Sequence, residues 1–181
     1  QINISFDLPE IDAGFYSSDF KALERLGQLI LQVGGRAGRA DKPGSVLVQT
    51  NFATNELLHF LVHDGFPSFA KILLKERAVN ELPPYSFHAL IRAESLHAKD
   101  TISFLEEVAL PPPASPSIEV FGPIPAIMER KAGKHRQILL ITSRDRTDLH
   151  LELNRRVNLA ASLPMGKKIR WSIDVDPSDL F

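Results

Sequence analysis

Pro83 and Pro84 stand next to each other and divide the sequence into two segments that must fold differently. Proline lacks the amide hydrogen that a helix interior needs, and it favours an extended backbone at the preceding residue. A helix that reaches this pair must therefore end there. Apolar residues recur at helical spacing before the pair, whereas strand-like and helical patterns alternate after it. These observations predict a domain boundary at residue 83.

Five elements are predicted before the boundary, in the order strand, helix, strand, helix, helix: residues 2–6, 19–31, 45–49, 55–64 and 68–80. The first helix is expected to run into a glycine-rich turn, and Gly65 with Pro67 is expected to separate the last two helices. Residue 1 is Gln and a strand pattern begins at once without a preceding turn, so we interpret the sequence as a piece of a longer protein. The alternative is a complete protein that has been processed or renumbered, and composition alone does not separate the two.

The segment after the boundary alternates strands and helices, with a proline-rich break at residues 111–116. The predicted elements are a strand at 85–93, a helix at 98–109, a strand at 118–121, a strand or bend at 126–129, a strand at 137–142, a helix at 146–163 and a strand at 169–175. We interpret this βαββαβ order as an α+β domain of the split βαβ sandwich type, in which two helices cover one face of an antiparallel sheet.

The charge of the chain is unevenly distributed. The formal net charge is −1, yet residues 130–170 contain eleven lysines and arginines against three acids. Such a concentration can be a solvated surface, but it is also typical of nucleic-acid binding sites. The candidate DNA-binding residues are those of a basic turn and of the start of the last strand: Arg130, Lys131, Lys134, Arg136, Lys167, Lys168 and Arg170.

A protein-docking surface is a second, compatible interpretation of the same basic segment. Arg144, Arg146 and His150 lie near the start of the predicted helix at 146–163, where they could receive an acidic peptide. Two other groups were weighed as metal ligands: Glu56, His59 and His63 at helical spacing, and Asp174 with Asp176 along a strand. A solvated helix face and a polar strand end are the favoured interpretations, so no metal site is predicted.

The string Gln32-Val33-Gly34-Gly35-Arg36-Ala37-Gly38-Arg39 resembles motif VI of superfamily 2 helicases, Q-x-x-G-R-x-G-R, at every defining position. The resemblance implies that Gln32, Gly35, Arg36, Gly38 and Arg39 contact ATP. A guanidinium stabilises the charge that spreads over a transferring phosphoryl group. Arg39 is the candidate arginine finger, and Arg36 is a second candidate catalytic residue. The chain contains neither a phosphate-binding G-x-x-x-x-G-K-[ST] loop nor an acidic magnesium motif, so we expect it to be inactive in isolation.

Further signatures narrow the resemblance from a superfamily to a family. They are Lys75-Glu76-Arg77, Leu82-Pro83-Pro84-Tyr85, Phe121-Gly122-Pro123-Ile124-Pro125-Ala126 and Trp171-Ser172-Ile173-Asp174-Val175-Asp176-Pro177. In order and spacing these resemble the C-terminal part of the PriA family of replication-restart DNA helicases. The resemblance divides the chain into the end of the second motor lobe at 1–50, a helical connector at 51–83 and a C-terminal DNA- and partner-binding domain at 84–181.

Membership of that family implies an ATP-dependent 3′-to-5′ helicase that recognises branched DNA at stalled forks and initiates primosome assembly in the cytoplasm. ATP and Mg²⁺ would be bound by the full-length protein, and zinc would be bound by parts of it outside this chain, which has no cysteine. The implied partners are forked and single-stranded DNA, single-stranded-DNA-binding protein and other primosome proteins, with no membrane. The alternative is a non-catalytic nucleic-acid-binding module of another superfamily 2 protein. The basic turn lacks the aromatic residues common in the family, which argues against base stacking there.

Overall fold

The computed structural model describes residues 3–6, 8–17, 19–37 and 45–178. Its contacts group into two units, Gln1–Asn80 and Glu81–Phe181, which we call the N-terminal unit and the C-terminal unit. Each has its own hydrophobic core. In the described part of the chain, no helix is long and apolar enough to cross a membrane. The predicted division into a motor-lobe end, a connector and a C-terminal domain stays a prediction.

The described elements of the N-terminal unit are β1 (Asn3–Phe6), α1 (Leu8–Tyr16), α2 (Ala22–Ala37), β2 (Ser45–Val48), α3 (Glu56–His63) and α4 (Gly65–Val79). Strands β1 and β2 pair in parallel. The core of this unit is formed by apolar side chains of α2, α3 and α4, with Leu61 and Phe69 among the most deeply buried. Helix α3 begins where the Asn55 side chain accepts a hydrogen bond from the amide of Leu57.

Two predictions for this unit are wrong in detail. Helix α2 does not end before the glycines but continues through Gly34 and Gly35 to Ala37, because glycine costs a helix only about 1 kcal/mol relative to alanine. Helix α4 begins at Gly65 rather than at residue 68. Pro67 is its third residue, and the first turn of a helix tolerates proline because its amides have no partner within the helix.

The C-terminal unit contains β3 (Phe87–Ser95), α5 (Ala98–Ala109), β4 (Ile118–Lys131), β5 (Lys134–Ser143), α6 (Arg146–Ser162), a short 3₁₀ helix (Met165–Lys167) and β6 (Arg170–Val175). The strands form one sheet in the order β4-β5-β3-β6, and every neighbouring pair is antiparallel. The mixed α/β class is therefore confirmed for this unit. The helicase-lobe and split-sandwich assignments stay predictions.

The two faces of this sheet have different roles. Ala89, Ile91 and Ala93 of β3 alternate with Leu90 and Arg92, so the two sets of side chains project from opposite faces of the sheet. The first set packs with apolar residues of both α5 and α6, which makes this the helix face. On the other side, which we call the outer face, Leu90 packs with Ile138 and Ala126 in a smaller cluster.

Strand β4 corrects the prediction of two short strands at 118–121 and 126–129. It is a single strand of 14 residues, although Gly122, Pro123 and Pro125 look like strand breakers in the sequence. In the described sheet β4 pairs only with β5, and an edge strand tolerates prolines because its outward amides need no partner strand. Its register shifts between Phe121 and Ile124 and again between Pro125 and Arg130.

Candidate nucleic-acid interface

A tight hairpin connects β4 to β5 and carries the densest group of predicted DNA-binding residues. Its two turn residues, Ala132 and Gly133, have φ angles of 49° and 78°. Positive φ at both central positions is the property of the type I′ turn, whose twist suits antiparallel strands. The turn places Lys131 directly opposite Lys134. Two like charges are therefore held side by side at the tip of the sheet.

The outer face of the sheet contains a cavity of about 380 Å³ beside this hairpin. Its charged lining consists of five cations and one acid: Arg92, Lys131, Lys134, Arg136, Arg170 and Glu94. The cations come from all four strands. An excess of positive charge in a concave site strengthens the local field and attracts phosphate groups. The cavity is thus the strongest candidate in the C-terminal unit for contact with a polyanion.

Cross-strand pairing explains why these charges converge. Glu94 of β3 lies directly between Arg136 of β5 and Arg170 of β6 in the sheet register. Its Oε1 is 3.2 Å from the Nζ of Lys134 and 3.4 Å from an Nη of Arg170. Directly opposed side chains in an antiparallel sheet lie close together on the same face. The register therefore assembles one charged row from three strands.

Only part of the predicted DNA-binding set lines the cavity. Lys131, Lys134, Arg136 and Arg170 do, but Arg130 does not, although it stands next to Lys131. Lys167 and Lys168 also lie outside the lining; they are exposed at the end of the 3₁₀ helix. Proximity in sequence to the basic turn or the last strand was therefore not enough to place a cation in the site.

Arg92 and Glu94 are lining residues that the sequence reasoning missed. Arg92 forms an ion pair of 3.1 Å with Asp174 of β6, one of the two aspartates weighed as metal ligands. The available signal was the alternation of Leu90, Arg92 and Glu94 along one face of a strand whose other face is apolar. Both residues lie outside the basic segment at 130–170, so the charge pattern of that segment does not indicate them.

The bulged part of β4 exposes apolar side chains near the cavity. Ala126 is buried and lines the cavity, whereas the next two residues, Ile127 and Met128, are 70% and 53% exposed. Trp171 also borders the cavity, but its ring lies on the helix face, where it packs near Phe104 and its ring nitrogen donates a hydrogen bond to the carbonyl of Gly166 at 3.0 Å. Ala126 and Ile138 supply apolar lining on the outer face. The lining thus combines cations with some apolar surface.

The predicted partner-binding residues lie at the opposite end of the sheet. Arg144 forms a bidentate ion pair with Glu81. Arg146 forms an ion pair of 2.5 Å with Asp176, and its guanidinium lies over the ring of Phe87. His150 is exposed one helical turn further along α6. Both arginines are therefore already paired with acids of this chain, Glu81 and Asp176.

The structure covers the motif VI string only in part. Gln32 and Gly35 are exposed in the last turns of α2. Gly38 and Arg39 lie outside the described residues, as does the side chain of Arg36. A Cβ placed on Gly34 or Gly35 would meet no atom within 4 Å. Within the described residues, nothing in the packing of α2 requires glycine at either position.

The N-terminal unit contains two further polar groups, Asp12 with its partners and the pair His59 and His63. Asp12 of α1 is buried and accepts hydrogen bonds from the Thr50 hydroxyl at 2.5 Å and the Asn51 side-chain amide at 2.6 Å. The bond from Thr50 is the largest cause that lowers the pKa of the Asp12 carboxyl. The rings of His59 and His63 stack at 5.8 Å. Among the described residues, no group of three or more potential ligands could hold a metal ion.

Comparison with known proteins gave consistent matches along the chain. Residues 79–178 match the family described as primosomal protein N C-terminal domain. A protein of Haemophilus influenzae named replication restart protein PriA is 39% identical over 175 residues, which are 96% of this chain and 24% of the relative. The proteins of the same name from Rickettsia conorii and Chlamydia trachomatis are 30% and 29% identical, over 95% and 94% of this chain. The chain spans about a quarter of the length of these relatives.

Proposed function

The chain belongs to the family of primosomal protein N C-terminal domains, and on that premise we propose that it binds DNA during replication restart through the basic cavity of its C-terminal unit. The observation that carries this proposal is the convergence of five cations from four strands on one concave face. Lysine and arginine side chains that neutralise phosphates supply most of the affinity of proteins for DNA, independently of its sequence.

The decisive experiment compares two triple variants that remove the same charge. Lys131, Lys134 and Arg136 are replaced by alanine in one variant, and Arg130, Lys167 and Lys168 in the other. Both keep Arg170, and each loses three positive charges from the same unit. DNA affinity is then measured at several salt concentrations for the wild-type chain and for both variants.

The cavity variant should bind more weakly, and the slope of log affinity against log salt should flatten by about two to three units, because each phosphate contact contributes about 0.7 to 0.9. The control variant should lose much less DNA affinity, and its salt slope should change much less. Equal losses in the two variants would instead mean that DNA contacts a diffuse basic surface, and the proposal would be wrong.

For the longer protein we propose an ATP-dependent 3′-to-5′ DNA helicase that acts on branched DNA at stalled forks and initiates primosome assembly. The support is the motif VI resemblance together with the relatives named replication restart protein PriA. In this proposal Arg39 is the arginine finger, Arg36 is a second phosphate contact, and Gln32, Gly35 and Gly38 shape the nucleotide site. The phosphate loop, the Mg²⁺ ligands and the zinc site belong to parts of the protein outside this chain.

Replacement of Arg39 by alanine in the full-length protein tests the finger. ATP hydrolysis should fall by a factor on the order of 10³ or more, with ATP binding largely retained, because the charge that Arg39 stabilises develops in the transition state. An equal loss of ATP binding would make Arg39 a ground-state anchor. If hydrolysis is unchanged, Arg39 is not the finger; if the wild-type full-length protein hydrolyses no ATP, the alternative of a non-catalytic nucleic-acid-binding module is favoured.

We also propose that Arg144, Arg146 and His150 receive an acidic peptide, such as the tail of single-stranded-DNA-binding protein. The support is that both arginines already bind carboxylates of this chain, Glu81 and Asp176, on exposed surface. A peptide carboxylate can form the same kind of charge-assisted hydrogen bond with either arginine.

A further inference from the structure

We propose that Glu94 acts as a built-in competitor of DNA phosphate: it neutralises Lys134 and Arg170 in the free protein and must be displaced when DNA binds. The inference rests on the proposed function, since it concerns the same cavity. In this role Glu94, an acidic residue, sets how tightly the basic cavity binds a polyanion.

The position of Glu94 supports this role. It is the only acid among the six charged residues that line the cavity in the described part of the chain, and its side chain is 25% exposed. The same carboxylate oxygen contacts Lys134 at 3.2 Å and Arg170 at 3.4 Å. A phosphate that approaches either cation therefore meets a negative charge already bound to it.

The pairing also differs from the ordinary exposed ion pairs of the chain. Arg144 with Glu81 and Arg146 with Asp176 each join one cation to one acid at side chains about half exposed or more. Glu94 instead serves two cations and stands directly opposite a third, Arg136, in the strand register. Removal of its charge would therefore leave several cations of one site without their shared counterion.

The physical consequence is a site that is weaker than its cation count suggests. A unit charge a few ångströms from a bound phosphate contributes an unfavourable interaction even when solvent screens it. Dense phosphates along a DNA backbone can engage several cations at once and offset this repulsion, whereas an isolated phosphate cannot. Glu94 should thus weaken the binding of an isolated phosphate more than it weakens the binding of DNA.

The opposite role would be structural: Glu94 could hold Lys134, Arg136 and Arg170 in place against their mutual repulsion. The two roles predict opposite changes in DNA affinity when the charge of Glu94 is removed. If Glu94 competes with DNA, the substitution Glu94→Gln raises DNA affinity; if it only positions the cations, the same substitution lowers it. Glutamine keeps the size and one hydrogen-bond acceptor of the side chain, so the comparison isolates the charge.

The experiment measures DNA affinity and its salt dependence for the wild-type chain, Glu94→Gln and the matched control Glu107→Gln. Glu107 is exposed on α5, which covers the helix face, so its substitution makes the same change in net charge away from the cavity. Glu94→Gln should bind about tenfold more tightly at low salt, and its salt slope should be steeper by about one unit. Glu107→Gln should bind as the wild type does within about twofold. Unchanged or weaker binding by Glu94→Gln would overturn the inference.

A double-mutant cycle with Lys134→Ala separates this inference from the proposed function. If Glu94 acts through Lys134, the gain from Glu94→Gln should be smaller in the Lys134→Ala background, and thermal unfolding should show that all variants are folded. If Lys134→Ala alone leaves DNA affinity unchanged, the proposed DNA site is wrong. If Lys134→Ala weakens binding but Glu94→Gln does not strengthen it, the site stands and the competitor role is wrong.

Discussion

Glu152 and Arg156 form an ion pair in the interior of the C-terminal unit, where both side chains are almost completely buried. The Arg156 Nε donates to Glu152 at 2.6 Å, and its two Nη atoms donate to the carbonyls of Val108 and Pro111. Glu152 also accepts from Arg155. Burial acts to raise the pKa of the Glu152 carboxyl, but the hydrogen bonds from Arg155 and the Ala114 amide, together with the charges of Arg156 and Arg155, lower it. The pair thus ties α6 to the end of α5 and to the proline-rich loop that follows.

Replacement of Arg156 by alanine should destabilise the chain by about 3 to 5 kcal/mol, because it leaves the Glu152 charge and two carbonyls without their buried partner. Chemical denaturation followed by circular dichroism measures this change. Arg155→Ala is the matched control: its side chain is 40% exposed, and Glu152 would keep Arg156. Equal losses in the two variants would contradict the assignment of Arg156 as the principal partner.

Asp148 gives a prediction about pH. Ser117 and Ser115 donate hydroxyl hydrogen bonds to its Oδ2 at 2.6 and 2.7 Å, and these bonds lower the pKa of the carboxyl below its ordinary value of 3.8. A lowered folded-state pKa contributes stability that is present above the unfolded-state pKa and is lost as pH falls through the folded-state pKa. The contribution should therefore be complete at pH 7 and decrease below about pH 4.

The double variant Ser115→Ala, Ser117→Ala should be less stable than the wild type at pH 7, and the difference should shrink on acidification below about pH 4. Unfolding free energies measured from pH 7 to pH 3 test this. Ser162→Ala is a suitable control, because its hydroxyl donates to the carbonyl of Leu159 and not to a carboxylate. A difference that is constant over the whole range would show that Asp148 is not the group involved.

Among the elements, α2 connects local helix energetics to the proposed nucleotide site. Its last turns contain Gly34 and Gly35, where a Cβ would meet no atom of the described structure. Glycine in a helix costs up to about 1 kcal/mol relative to alanine, so two glycines here weaken α2, and the described residues give no packing reason for them. Gly35 is a motif VI position, and Gly34 is not.

Gly34→Ala and Gly35→Ala should each raise the stability of the chain by up to about 1 kcal/mol. In the full-length protein only Gly35→Ala should lower ATP hydrolysis, because a methyl group there would obstruct the proposed close approach of the nucleotide. Thermal unfolding and steady-state ATP hydrolysis give the two readouts. Equal hydrolysis by both variants would remove Gly35 from the proposed site.

Gly122 in β4 is constrained by the sheet itself. It has a φ of 119°, and a Cβ there would lie 2.8 Å from the carbonyl oxygen of Ile138 on β5. Both the conformation and the close approach of the two backbones require glycine. This residue is the reason that an apparent break in the sequence is compatible with one continuous strand.

At the scale of the whole C-terminal unit, the basic cavity and the proposed peptide site at Arg144 and Arg146 are separated by the length of the sheet. Arg146 lies over Phe87 at the start of β3, and Glu94 lies near the end of the same strand. Seven residues of extended strand span about 23 Å at roughly 3.3 Å each. This exceeds the Debye length of about 8 Å at physiological salt, so the two ends are electrostatically almost independent.

We therefore expect DNA and an acidic peptide to bind this unit independently. Arg144→Ala with Arg146→Ala should weaken a labelled acidic peptide and leave DNA affinity within about twofold. Lys134→Ala with Arg136→Ala should weaken DNA binding and leave the affinity for the peptide within about twofold. Titration of each ligand in the presence of a saturating amount of the other provides a second test, and competition between them would show a shared surface.

The sequence by itself determined the two helices of the C-terminal unit and the family. Helix α5 has the predicted bounds, and α6 differs from its predicted bounds by one residue at its end. This agreement arises because the apolar spacing of the helices and the strand patterns on either side are strong local signals. The family was recognisable because its signatures are short strings of fixed residues. The basic segment at 130–170 identified four residues of the cavity lining. Three of them lie on the β4–β5 hairpin, which brings its charges together locally, whereas Arg170 joins them only through the pairing of β6 with β3.

Only the tertiary structure decided which charges share one site. Arg92 and Glu94 join the cavity because β3 pairs with both β5 and β6, and no local pattern encodes that strand order. Glu152 and Arg156 belong to the same charged segment of the sequence, yet packing buries them as a structural pair. Periodicity along a chain shows which residues share a face of one element. Which faces meet depends on long-range pairing, and that pairing separated the cations of the candidate DNA site from the rest.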